Sequence, residues 1–316
     1  VIPVSTILAP SFGHFRPHEE LLKAGVLVEY HEGMGDVMFV SHTWLRRNQP
    51  DDEEGVKFAL LRAVLQRAVD GKLDVNPHWL LAGALGKAFS HSSHLKAANM
   101  RRSLKDGYIF LDYISIPQAD PEAQKRAIAS LVSYVCASAY FLCLAGPWTH
   151  EDGSSRDDLA WSVRGWCRME GTANFLSPKP KPVILATSPS HIVTYAPSYK
   201  HGHDFLSAGR VGHGDFTVES DRVALGPYLE QLIIARKALA LSEGDMVMYR
   251  YLHATSSWLL DGCEVEVRKE EDYHIRTVPS LDKWHKMGEN CVDVQKLDVH
   301  NIRIISGVLA QSVSLE

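Results

Sequence analysis

Short apolar runs alternate with amphipathic segments from residue 36 to about residue 190. Four runs have the length of a strand and end in polar or turn-forming residues: Val37–Val40, Tyr108–Tyr113, Ala139–Ala145 and Pro182–Thr187. Runs that are apolar almost throughout are typical of strands covered on both faces. The pattern therefore predicts four buried strands.

Helical periodicity fills the segments between these runs. One apolar stripe comprises Leu61, Val64, Leu65 and Ala68, and a second comprises Ile128, Leu131, Val132, Val135 and Cys136. They predict helices over 52–69 and 122–138, and a third helix is expected to carry Trp161 through Ala173, capped by Asp157 or Asp158. Strands alternating with helices favour parallel pairing through right-handed crossovers. We therefore expect an α/β fold with a doubly wound parallel sheet.

The flanking segments differ from this central pattern. We divide the chain into an N-terminal arm, an α/β domain and a C-terminal extension, with the bounds 1–35, 36–195 and 196–316. The arm holds a short helical segment, His18–Ala24, that ends at Gly25. The extension has an amphipathic helix over 227–241 and alternating segments over 263–268 and 301–305, which predict a small α+β unit.

Composition narrows the classes of partner and compartment. The net charge of -5, without a basic run, argues against binding to nucleic acid or to an anionic membrane. No apolar window is long enough to predict a membrane span. The 5 cysteines form no CxxC pair, which favours a reducing, cytoplasmic environment. An organellar location stays open because the chain begins with Val1 rather than Met.

Polar residues follow the first two predicted strands. Ser41, His42 and Trp44 come just after the first strand, and Asp112 and Gln118 come at or after the end of the second. Residues beyond the carboxyl ends of parallel strands line the ligand crevice in open α/β sheets. A third polar segment, Arg164-Gly-Trp-Cys-Arg-Met-Glu170, places a carboxylate beside an indole, a thiol and a guanidinium. We expect the three segments to form one cleft.

These three segments resemble those of Toll/interleukin-1 receptor (TIR) domains, whose plant members carry Trp-Cys-x-x-Glu. The chain has Asp36-Val-x-Phe-Val-Ser, then Phe110-Leu-Asp112, then Trp166-Cys167-x-x-Glu170. The pattern of the fungal heterokaryon-incompatibility (HET) domain, a TIR-like module, fits more closely. Its three motifs are matched by Ser41 with Trp44, by Asp112 with Ile116 and Gln118, and by Arg164 with Trp166 and Glu170. The chain departs from it at Met169, where the HET pattern has Gln, and has Pro117-Gln118 where TIR proteins have a Gly-rich loop.

The resemblance implies a flavodoxin-like, TIR-like fold and a role in intracellular signalling. Catalytic TIR domains hydrolyse NAD at the bond between nicotinamide and ribose, and the resemblance assigns Glu170 as the essential carboxylate. NAD or a related nucleotide is then the candidate substrate, and no cofactor is required. Many TIR domains are instead interaction modules, so self-association or docking of protein partners is the alternative function.

The residues themselves leave two interpretations of the third segment open. Glu170 either acts on a ligand or pairs with Arg164 or Arg168 on its own helix. Trp166 either stacks on a nicotinamide or adenine ring or packs in the core. A cleft-facing Glu170 favours a site, whereas a Glu170 held by its own arginines favours an interaction module.

Alternatives remain at the first two segments as well. Ser41, His42 and Trp44 either contact a phosphate or ribose, or His42 only caps the segment that follows. Asp112 either accepts from ribose hydroxyls or bonds backbone amides of the loop 115–118. Cys167 is not expected to be a nucleophile, because no adjacent His would lower its pKa.

Two further motifs carry little weight. His201, His203, Asp204 and His213 are of metal-binding types, but their spacing is loose and their segment is Gly-rich, so we expect no metal. Gly209-x-x-Gly212-x-Gly214 does not follow a predicted strand, as a dinucleotide-binding motif would.

Overall fold

The computed structural model describes residues 1–31, 33–77, 94–195 and 210–263. The chain has an α/β fold and divides into two compact units. One comprises Val1–Gly209 with Gly214–Thr217, and the other comprises Arg210–His213 with Val218–Glu316. Within the described ranges, no helix is both long and apolar enough to cross a membrane.

The first unit is built on a mixed sheet, which has six strands in the described part of the chain. They are β1 (Ile2–Pro3), β2 (Val37–His42), β3 (Tyr108–Leu111), β4 (Tyr140–Leu144), β5 (Val183–Ser188) and β6 (His191–Thr194), in the order β1-β3-β2-β4-β5-β6. The four inner strands are parallel, as predicted, but β1 and β6 are antiparallel edge strands. The prediction of a wholly parallel sheet is therefore wrong at both edges. β1 is too short for a periodic pattern, and β6 follows β5 through a tight hairpin that needs no crossover helix.

Helices connect the strands, and two more α-helices lie in the described part of the second unit, which also has a 3-10 turn over Val211–His213. In the first unit they are α1 (Val4–Leu8), α2 (His18–Lys23), α3 (Val56–Val69), α4 (Ala97–Leu104), α5 (Asp112–Ser115), α6 (Pro121–Ala129), α7 (Leu131–Ala137), α8 (Asp158–Val163) and α9 (Gly165–Phe175). The second unit has α10 (Glu219–Glu243) and α11 (Met246–Leu259). The single helix predicted over 122–138 is wrong, because the chain breaks at Ser130, where the hydroxyl bonds the carbonyl of Arg126 at 3.0 Å.

Both faces of β2 are buried, as its continuous apolar run predicts. Met38 and Val40 belong to the core cluster that also contains the predicted stripe of α3. Phe39 stacks on the opposite face, with ring centroids 5.2 Å from Phe110 and 5.4 Å from Phe141. Alternate residues of one strand thus fill two separate layers of the core.

The described part of the second unit is helical. The predicted stripe of Leu229, Leu232, Ile233 and Ala240 is buried in α10, so this helix is confirmed, although it begins earlier than predicted, at Glu219. The helix ends at Glu243 and is followed by Gly244, whose φ of 74° suits a residue without a Cβ. The strands predicted over 263–268 and 301–305 lie outside the described residues apart from Cys263, as do His201, His203 and Asp204. His213 lies 3.0 Å from Asp261.

Candidate functional site

The register of β2 and β3 brings the first two polar segments together. Val40 pairs with Leu111 in the parallel ladder, so the residues that follow, Ser41 and Asp112, lie at the same edge of the sheet. Ser41 and His42 are the last two residues of β2, not residues beyond it as predicted. The strand predicted over Tyr108–Tyr113 ends earlier, at Leu111, and Asp112 begins α5, one short helical turn, instead of ending the strand. The carboxyl edge of the sheet therefore gathers residues from distant parts of the chain.

Asp112 accepts hydrogen bonds from two side chains of the first segment. Its carboxylate oxygens lie 2.9 Å from His42 Nε2 and 2.9 Å from Trp44 Nε1, and Oδ1 also accepts from the amide of Tyr113 at 2.6 Å. Burial opposes ionisation of Asp112, but the electrostatic interaction with the His42 ring and these hydrogen bonds outweigh it and hold the pKa of the carboxyl below its usual range. The Asp112 side chain keeps 38% exposure, whereas that of His42 keeps 1%. Asp112 is thus an ionised group that a ligand can reach.

Glu170 belongs to a second group of hydrogen bonds that meets the first at β2. Ser41 Oγ donates to Glu170 Oε2, and Trp161 Nε1 donates to Ser41 Oγ at 2.8 Å. Burial raises the pKa of Glu170 to about 8, with a hydrogen bond from Ser41 opposing the shift and the nearby charge of Asp112 adding to it. The two carboxyl groups are therefore close enough to interact, while their environments push their pKa values apart.

A break between two helices places Glu170 at this edge. The single helix predicted from Trp161 to Ala173 is wrong: α8 ends at Val163, and Arg164 has an extended ψ of 129° before α9 begins. Asp157 caps α8 by accepting from the amide of Ala160 at 2.9 Å. α9 then packs on β2, which brings Glu170 to Ser41.

Residues 215 and 216 hold the start of α9 in place. The amide of Gly165 donates to the carbonyl of Asp215 at 2.9 Å. A Cβ on Gly165 would overlap the ring of Phe216, so the close approach requires glycine. The heptapeptide therefore has one extended residue, Arg164, followed by six helical ones.

The arginines of the heptapeptide make other contacts. Arg164 Nη2 donates to Thr217 Oγ1 at 2.8 Å, and Arg168 Nε donates to the carbonyl of Ser162 at 2.9 Å. The bond that Glu170 makes is with Ser41, on the strand. The geometry thus favours the interpretation in which Glu170 faces the sheet edge.

The comparisons with known proteins give no family for this chain. No family model, no curated protein and no solved structure matches it.

Lys57, on the first turn of α3, is a buried cation behind His42. Its Nζ donates to the carbonyls of Thr43 and, at 2.6 Å, Pro50, and it lies 3.4 Å from His42 Nδ1. It also lies 5.3 Å from the ring centroid of Trp148. Burial lowers the pKa of Lys57 to about 7.

Sequence reasoning missed Lys57 and Trp161. A signal for Lys57 was present: it precedes Leu61 by four positions and so lies on the apolar stripe of α3. Asp51 fixes this end of α3, since its carboxylate accepts from the amides of Lys57 at 2.9 Å and Phe58 at 2.8 Å. Nothing in the local sequence distinguishes Trp161 from Trp166 as the indole that bonds Ser41.

Other predicted residues lie at the edge of this group or away from it. The backbone amide of Gln118 donates to the carboxylate of Glu19 at 2.6 Å, and the side-chain amide of Gln118 donates to the carbonyl of Ile116 at 2.8 Å. Both groups of Gln118 are therefore engaged in hydrogen bonds within the chain. Trp166 is half-buried on α9. Cys167 contacts the carbonyl of His42 at 3.7 Å, and burial raises the pKa of its thiol well above the usual value, which argues against a nucleophile.

A cavity of about 770 Å³ lies at the opposite edge of the sheet, where β4 and β5 begin. Its lining is Tyr30, Leu95, Cys136, Ala137, Ser138, Ala139, Tyr140, Pro178, Lys179, Pro180, Lys181 and Pro182. Lys181 Nζ is engaged by the carbonyls of Val135 at 2.8 Å and Cys136 at 3.3 Å. We place the candidate site at the carboxyl edge, because the acid–base side chains with shifted pKa values converge there.

Proposed function

We propose that the first unit is a doubly wound TIR/HET-like domain that binds NAD or a related nucleotide and cleaves the bond between nicotinamide and ribose. Glu170 is the essential carboxylate in this proposal. The observation that carries it is the hydrogen bond between Glu170 and Ser41, which holds a carboxyl group beside the His42–Asp112 pair.

The chemistry needs few groups from the protein. Hydrolysis breaks the bond between the anomeric carbon and nicotinamide, forms a bond from that carbon to the oxygen of a water molecule and releases the water's proton to solvent. Positive charge develops on the ribose during this exchange, and a carboxylate near the anomeric carbon stabilises it. Nicotinamide leaves as a neutral molecule, so no second acid is needed to protonate it. Asp112 is ionised and partly exposed, which suits it to accept hydrogen bonds from the ribose hydroxyls.

The charge state of Glu170 fits a cationic substrate. With a pKa of about 8, Glu170 is largely protonated at neutral pH in the free protein. The positively charged nicotinamide ring would favour the ionised form when it binds nearby, because an opposite charge lowers the pKa of a carboxyl group. Ser41, held by Trp161, then donates to the carboxylate. Ionisation of Glu170 is thereby linked to substrate binding.

One observation favours the second candidate, a non-catalytic module that self-associates or docks protein partners. Ser41 and His42 are both buried, and their side chains bond partners within the chain. A protonated Glu170 bonded to Ser41 would then serve only to fix α9 on β2. Under this alternative the nucleotide does not bind, and the outer faces of the helices carry the function.

Nicotinamide release from NAD by the purified protein tests the two candidates. Glu170→Gln keeps the shape and a hydrogen-bond acceptor but cannot ionise, and we expect a loss of activity of about 100-fold or more. Glu122→Gln is the matched control, since Glu122 lies on α6 with a side chain 73% exposed, and it should keep wild-type activity. The assay is repeated at high protein concentration and under crowding that promotes assembly. Absence of release in every condition, or equal release by Glu170→Gln, contradicts the enzymatic proposal and leaves the interaction module.

A further inference from the structure

All three protons of the Lys57 ammonium have acceptors within reach. Two are the carbonyl oxygens of Thr43 and Pro50, and the third is Nδ1 of His42. Lys57 is fully buried, and Asp51 holds its backbone in the first turn of α3. A buried ammonium with a complete set of acceptors has a fixed position and a fixed orientation.

This arrangement determines where the proton of His42 lies. An ammonium has no lone pair, so its contact with His42 requires Nδ1 to be the acceptor. The ring proton then lies on Nε2, from which it is donated to Asp112 Oδ1 at 2.9 Å. A second proton on Nδ1 would place two positive charges in contact inside the protein.

We propose that Lys57 is a positioning residue that holds His42 in the neutral Nε2–H tautomer and so orients the Asp112 carboxylate towards its ligand. The ligand part of this inference rests on the proposed function, whereas the tautomer part depends only on the contacts of Lys57. The pair of oxygens on Asp112 is then fixed from two sides, by His42 on Oδ1 and by Trp44 on Oδ2.

The charges that face Lys57 come from several elements. Burial has the largest effect on the pKa of Lys57 and lowers it. The charges of Asp51, before α3, and of Asp112, at the start of α5, raise it. An ionised thiol of Cys167, on α9, would also raise this pKa, and the charge of Arg156, before α8, lowers it. With a pKa of about 7, Lys57 keeps its proton at pH 6.

Nitrogen-15 NMR of the His42 ring at pH 6 tests the tautomer, with His42→Asn used for assignment. In the wild type we expect an unprotonated Nδ1 and a protonated Nε2. Lys57→Met removes the charge and the donors but keeps the length of the side chain, and we expect the Nδ1-protonated fraction to rise about tenfold, the effect of removing a like charge in contact. Lys181→Met is the matched control, because Lys181 also donates to carbonyls but at the opposite edge of the sheet.

Two results would overturn the proposal: a protonated Nδ1 in the wild type, or an unchanged His42 spectrum in Lys57→Met. The wild-type spectrum decides the first point even if the variant does not fold. Where nicotinamide release from NAD is observed, Lys57→Met should raise KM by about tenfold more than Lys181→Met does. If NAD is not cleaved, the proposed function is contradicted, but the NMR measurement still tests the tautomer independently.

Discussion

Ser41 donates a hydrogen bond to Glu170 across the packing contact between β2 and α9. The two residues are 129 positions apart in the chain. Because Trp161 also donates to Ser41, one hydroxyl joins the end of a central strand to both helices that precede β5. A substitution at Ser41 or Glu170 should therefore shift α8 and α9 as well as change the chemistry at the carboxyl edge of the sheet.

Glu170→Gln should alter how stability depends on pH. The pKa of Glu170 rises from 4.5 to about 8 on folding, so between these values the folded state binds more protons than the unfolded state, and stability falls as pH rises. Glutamine does not titrate. We expect the free energy of unfolding of Glu170→Gln, relative to wild type, to increase by roughly 2–4 kcal/mol from pH 5 to pH 8.5. Urea unfolding at each pH measures it.

Lys57 changes the pH dependence of the free energy of unfolding in the opposite direction. Its pKa is lowered to about 7, so stability from this group rises with pH between about 7 and its ordinary value of 10.5. Because Lys57 is present in both proteins, its contribution cancels in the difference. Glu122→Gln should show no pH-dependent difference of this size, and parallel curves for wild type and Glu170→Gln would contradict the buried, protonated Glu170.

Ser41→Ala should destabilise the first unit more than a matched serine change does. It leaves the indole N–H of Trp161, a residue only 5% exposed, without its acceptor, and we expect a loss of about 1–3 kcal/mol. Ser138→Ala is the control: Ser138 is also buried, but its hydroxyl donates to a backbone carbonyl, that of Tyr134, at 2.8 Å. Denaturant unfolding followed by tryptophan fluorescence compares the two. Equal losses would show that the Trp161–Ser41–Glu170 connection adds nothing to stability.

The elements that the sequence predicted well are those specified by local pattern. β2, β4 and β5 are continuous apolar runs, and the stripe of α3 has helical spacing over several turns. The breaks in the helices were not predictable in this way. The break at Arg164 depends on the carbonyl of Asp215 and the ring of Phe216, about fifty positions later, and no local pattern reports such a contact.

The candidate site, too, could be predicted only where a local pattern specifies the position of its residues. Ser41 and Asp112 could be placed at one edge because parallel strands present their carboxyl ends together. Lys57 lies on the apolar stripe of α3, but this signal alone does not predict its burial, because a lysine in an amphipathic helix normally lies on the solvent face. Its burial depends on the carbonyls of Thr43 and Pro50, which turn towards it only once the chain after β2 has folded back.

Asp112→Asn should destabilise the protein at neutral pH and much less in acid. An asparagine oxygen can accept from His42 or Trp44, but its NH₂ group then opposes the other donor, and we expect a loss of about 1–3 kcal/mol at pH 7. The pKa of Asp112 is lowered on folding, so its contribution is present above the ordinary pKa of 3.8 and is lost as pH falls through the folded value. Asp106→Asn, on an exposed residue, is the control for unfolding measured between pH 3 and pH 7. A loss that does not shrink in acid would mean that the Asp112 charge is not what the two donors recognise.

Gly165→Ala should displace the start of α9 and with it Glu170. The added methyl group would overlap the Phe216 ring, and overpacking of this kind costs about 1–3 kcal/mol. Gly13→Ala is the control, since no atom lies within 4 Å of the position of its Cβ. Phe216→Leu, combined with Gly165→Ala, should recover part of the loss because the smaller side chain makes room for the methyl group. Denaturant unfolding of the single and double variants forms a double-mutant cycle, and strictly additive effects would show that Phe216 does not set the position of α9.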